Sequence, residues 1–100
     1  MHAIDQRILS EITKKLSQLP VQNFILSGKT IRKVKILNIT PTEPYKAVSP
    51  VVLPFSAIAK VTYQVVEGEL EITCAFTGSA SIVDDHVEDL VEFPYFLIER

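Results

Sequence analysis

The 100-residue sequence predicts an α+β domain: one N-terminal amphipathic helix packed on one face of a curved antiparallel sheet of about four to five strands. Two observations carry this. Residues 3–18 repeat apolar side chains at helical spacing, and residues 55–82 contain two alternating runs that mirror each other across a tight turn. A helix with one oily stripe and a sheet with one oily face are buried most economically against each other.

The helix is expected over residues 3–18. Ile4, Ile8, Ile12 and Leu16 recur every four positions, and Leu9 and Leu19 widen the stripe. Asp5 near the start and Lys14 and Lys15 near the end suit the helix dipole. Pro20 cannot continue the helix and biases Leu19 toward extended geometry.

Residues 22–40 read as extended, with a break or bulge at Ser27-Gly28. Their alternation is imperfect: Val34 and Ile36 share one parity, Ile31, Leu37 and Ile39 the other, and a bulge would reconcile them. Residues 41–54 hold four of the six prolines and are expected to form a loop, with Val51–Leu53 as a short edge piece at most.

The hairpin comes next, with strands at about 55–66 and 69–82. Phe55, Ala57, Ala59, Val61, Tyr63 and Val65 fall on one parity, and Leu70, Ile72, Cys74, Phe76, Gly78 and Ala80 on the matching one. With Val66 opposite Glu69, Val65 meets Leu70, Val61 meets Cys74 and Ala59 meets Phe76, while Lys60 meets Ala75 on the wet face. An acidic stretch, Asp84-Asp85-His86-Val87-Glu88-Asp89, reads as a solvated turn or helical cap, and residues 93–99 as the last strand.

Composition bounds the rest. One hundred residues indicate a single domain, and 47% apolar content with a mean hydropathy of +0.24 is enough for one core. A formal net charge of −2 gives no bulk attraction to nucleic acid or anionic lipid. The charge is unevenly placed: residues 1–60 hold nine Lys/Arg against three Asp/Glu, residues 61–100 one against nine. One cysteine cannot form an internal disulfide, and no run approaches the ~20 apolar residues of a membrane span. A cytoplasmic location is expected, with no membrane partner.

No chemical motif stands out. The acidic stretch lacks the alternating oxygen ligands and central glycine of a calcium loop. Three glycines cannot build a phosphate loop, and no serine sits in a nucleophile elbow. Cys74 falls on the dry parity, where a thiol behaves as a small apolar group. No catalytic, cofactor-binding or metal-ligating residue is assigned, and no cofactor is expected.

Three candidate surfaces remain. Ala57, Ala59, Phe76, Gly78 and Ala80 mark either close helix docking or an apolar pocket for a small ligand. Phe93, Tyr95, Phe96, Leu97 and Ile98 are apolar on both parities, more than a one-sided strand needs, and point to a protein interface. Lys29, Arg32, Lys33 and Lys35 form a basic stretch without interleaved aromatics, which makes lysine protection of an edge strand the better account than nucleic-acid contact. The expected function is a small non-catalytic interaction or assembly module acting through an edge strand or sheet face. Its alternative is a carrier of a small apolar ligand.

Overall fold

The computed structural model describes residues 6–45, 50–91 and 94–99. One helix, α1 (Gln6–Ser17), packs on a mostly antiparallel five-stranded sheet that does not close, and the fold is α+β. The strands are β1 (Phe24–Ile25), β2 (Ile31–Pro41), β3 (Val51–Val65), β4 (Gly68–Val83), β5 (His86–Leu90), β6 (Tyr95–Phe96) and β7 (Ile98–Glu99). In the main sheet the order is β2-β3-β4-β5, with β7 also pairing β4, while β1 and β6 form a separate parallel pair.

Helix α1 buries Ile8, Ile12 and Leu16, the stripe its spacing predicts. Full burial of each contributes about 1.5–3 kcal/mol before entropy is counted. Lys14 and Lys15 occupy the last turn, while Ile4 and Asp5 lie outside the described residues.

The hairpin keeps the expected faces but not the expected partners. Val65 pairs with Gly68, so Tyr63 meets Leu70, Val61 meets Ile72, Ala59 meets Cys74 and Ala57 meets Phe76; on the wet face Lys60 meets Thr73 rather than Ala75. The turn is Val66-Glu67, one residue earlier than expected, which slides every partner by two. A two-residue slide leaves each side chain on its own face, so the dry parity survives. Gly68 at φ +138° reaches a conformation side chains disfavour. The Gln64 side-chain amide donates to the carbonyls of Val65 and Gly68 at 3.0 and 2.9 Å, tying the turn at this position.

Residues 22–40 are not one strand. A single 3₁₀ turn (Val21–Asn23) precedes β1, and a turn at Ser27-Gly28, with Gly28 at φ +72° and Lys29 N–H on the Leu26 carbonyl, separates β1 from β2. The irregular alternation of β2 resolves into two bulges. Against β3 its register skips once between Ile31 and Lys33 and once between Ile36 and Asn38, leaving Arg32 and Leu37 as the extra residues. Ile31, Val34, Ile36 and Ile39 thereby all oppose dry-parity residues: Tyr63, Val61, Ala59 and Ala57.

Three further expectations are corrected. Strand β3 begins at Val51, inside the expected loop, and runs through Pro54. The Pro54 carbonyl accepts from Thr42 N–H just beyond the end of β2, so the missing proline N–H falls where the ladder stops. The acidic stretch is a turn followed by a strand. Asp84 and Asp85, at φ 51° and 62°, form the two-residue turn into β5, and a skip at Glu88 puts Val87 and Leu90 both on the core face. The terminal run breaks at Leu97 into β6 and β7.

Candidate functional site

The small residues of the dry face are the seat of a packed aromatic cluster. Ala57, Ala59, Phe76 and Ala80 are at most 2% exposed. A Cβ at Gly78 would stand 2.6 Å from Tyr95 Cε1 and 2.9 Å from Phe55 Cζ. The ring of Tyr95 lies where the sequence left the hollow open, stacked with Phe24 (centroids 5.6 Å apart) and edge-on to Phe76 (5.2 Å). Among the described residues, the open clefts along α1 and beside the β1–β2 turn are lined by other side chains, such as Leu9 and Leu37 in one and Leu26 and Ile31 in another. At Gly78 the missing side chain accommodates a terminal ring, while Ala57, Ala59 and Ala80 share one buried core with Ile8, Ile12 and Leu16 of the helix.

The terminal run divides cleanly by parity. Tyr95 and Leu97 are buried, whereas Phe96 and Ile98 are 65% and 68% exposed; Phe93 lies outside the described residues. Backbone pairing on both sides helps hold the segment. Leu97 N–H donates to the Ile25 carbonyl at 2.7 Å, and Ile98 pairs with Ala75 on β4. Phe96 registers with Ile25, itself exposed, so large apolar side chains gather at this edge.

The basic stretch is split by the first β2 bulge. Lys29 sits in the turn with its ammonium 4.9 Å from the Tyr63 ring centroid. Arg32, Lys33 and Lys35 are exposed, and Arg32 Nε donates to Gln64 Oε1 at 3.1 Å on the wet face. Lys35 pairs in register with Lys60, whose Nζ is 3.5 Å from Glu71 Oε1. Both partners of that ion pair are about half exposed, and such pairs contribute little to stability.

The outer sheet face also carries a feature that alternation concealed. One row crosses four strands in register: Asn38 on β2, Ile58 on β3, Ala75 on β4 and Ile98 on β7. Three of its four members are apolar, on a face that is otherwise polar from Ser56 to Gln64 on β3 and from Glu69 to Thr77 on β4. Bulged Leu37 stands exposed at the β2 end of the row. Toward the turn, the next rows read Lys35–Lys60–Thr73 and Lys33–Thr62–Glu71; away from it, Thr40–Ser56–Thr77. Ile58 on a polar parity is the signal a sequence can show; the alignment of Ala75 with Ile98 is not.

Chemistry elsewhere is sparse. Among the described residues no three His, Cys, Asp or Glu side chains converge as metal ligands would. His86 Nδ1 lies 3.5 Å from Glu11 Oε1, linking β5 to the helix, and the Tyr45 hydroxyl donates to Asp85, tying the connection after β2 to the β4–β5 turn. Cys74 is fully buried; burial first, and the nearby Glu99 carboxylate second, push its thiol above the usual range. Among the described residues no helix is long and apolar enough to cross a membrane. Compared with protein-family models, curated proteins and solved structures, the chain shows no significant match to any of them.

Proposed function

We propose that this chain is a small non-catalytic interaction module that engages a protein partner through the apolar edge formed by β6 and β7. The observation that carries the reading is the alternation of the terminal segment. Tyr95 and Leu97 anchor it in the core, so Phe96 and Ile98 are held outward on a fixed backbone beside exposed Ile25. Pre-ordered apolar side chains bind without the ordering cost that a loose tail would incur. Large exposed apolar groups gathered at one edge, with charged residues around them, are the usual mark of a protein contact. On this reading the module works in the cytoplasm, where its single buried thiol needs no oxidised partner.

A photo-crosslinking residue at position 96, compared with one at exposed Ser17 on the helix side, tests the reading in a native lysate. Protein adducts at 96 well above those at 17 are expected. Equal labelling at the two positions overturns it.

A further inference from the structure

The outer sheet face is arranged to fit itself. We infer that the partner is a second copy of this chain, packed sheet on sheet about a two-fold axis that runs along the strands between β3 and β4. This rests on the reading above and names its occupant.

The argument is one of complementarity. A two-fold axis along the strands sends the β2 side of one copy over the β4 side of the other and leaves each cross-strand row facing its own equivalent. In the apolar row, Ile98 of one copy then lies over the Asn38 end of its partner, beside exposed Leu37, and Ile58 lies over Ala75. That row spans about 14 Å at an ordinary strand spacing, and packed sheets stand about 10 Å apart, within reach of these side chains.

The rows toward the turn supply the electrostatic half. Their cations, Arg32, Lys33, Lys35 and Lys60, sit on β2 and β3, and their carboxylates, Glu69 and Glu71, sit on β4. The same rotation brings the basic side of one copy over the acidic side of the other, twice. A face of one sign would repel itself in such a pairing, whereas a face divided this way attracts itself. The bulges at Arg32 and Leu37 disfavour ladder addition along the β2 edge, which leaves the face as the self-complementary surface.

Charge reversal distinguishes this arrangement from any other dimer. Lys33→Glu with Lys35→Glu sets two carboxylates against Arg32 and Lys60, so the β2–β3 side loses its net positive charge and its attraction for the β4 side; Glu69→Lys with Glu71→Lys makes both sides basic. All four positions are exposed, and circular dichroism and the thermal midpoint establish that each variant folds. By sedimentation equilibrium the wild type is expected to reach twice 11.2 kDa as concentration rises. Each double variant alone is expected to stay at 11.2 kDa, and an equimolar mixture to form the heterodimer. Ile98→Asp should weaken wild-type association by about tenfold or more, because dimerisation buries an unpaired carboxylate. A wild type that stays monomeric, or charge variants that each dimerise alone, overturns the inference. Should adducts at position 96 join the chain only to other proteins while the wild type stays monomeric, the second copy is wrong and the interaction reading stands. Equal labelling at 96 and 17 removes the interaction reading itself.

Discussion

Gly78 and Gly68 are glycines for different reasons, and the difference is measurable. At Gly78 the backbone is ordinary and the obstacle is space: a methyl group would meet two buried rings, Tyr95 and Phe55, neither a flexible chain end. Gly78→Ala is expected to cost about 1–3 kcal/mol through overpacking, read as a lower urea midpoint with unchanged slope. At Gly68 nothing stands within 4 Å of an added Cβ, but φ is +138°. Gly68→Ala is expected to cost a similar ~1–3 kcal/mol through backbone strain alone. Its signature should be faster amide exchange confined to the hairpin turn. The Cys74 thiol makes a third residue-scale case. Its neutral form is favoured by the fold, so its contribution is intact below the free thiol's pKa and declines as pH rises through and above that value. Cys74 should resist thiol reagents in the native protein and react at once in denaturant; equal rates in both would contradict its burial.

At the scale of elements, an apolar spacing of three within a strand means a bulge. Ile31 and Val34, Ile36 and Ile39, and Val87 and Leu90 all sit three apart, and in each interval the register skips one residue. Deleting Leu37 should therefore preserve every β2–β3 pair, with Ile39 still opposite Ala57, while straightening an open edge. The expected result is a folded protein that aggregates faster than wild type in a light-scattering time course; an unfolded product would mean the extra residue is needed for pairing. The helix behaves differently, since its three buried side chains cover the sheet's dry face. Ile12→Ala should cost about 2–5 kcal/mol in chemical denaturation, the ordinary range for a large side chain removed from a closed core.

Across the whole molecule, the uneven charge of the chain becomes a lateral division of the sheet. The basic first part supplies β2 with Arg32, Lys33 and Lys35, and the acidic second part supplies Glu69 and Glu71 on β4 and the Asp84–Asp89 run beyond. The shape is elongated, 50 × 21 × 19 Å, because β3 and β4 run 15 and 16 residues. Leu70 on the dry parity is exposed near the turn, so that end of the arm lacks the cover found at Phe55 and Phe76. Native-state hydrogen exchange should show the amides near the turn opening well before those around Ala57 and Cys74, and uniform protection along both strands would show that the arm unfolds only globally.

The sequence alone determined what repeats locally: the helical stripe at Ile8, Ile12 and Leu16, the hairpin with its dry and wet faces, and hence the α+β class. These depend on backbone periodicity, which each segment expresses without reference to the rest. Long-range pairing set the two-residue slide at Gly68, the positions of the bulges, the parallel pairing of β1 with β6, and the use of Gly78 as the seat of Tyr95. The apolar row Ile58–Ala75–Ile98 belongs with them. Its members come from three strands, and register is a property of the pair, set by turn geometry and by what each strand finds opposite.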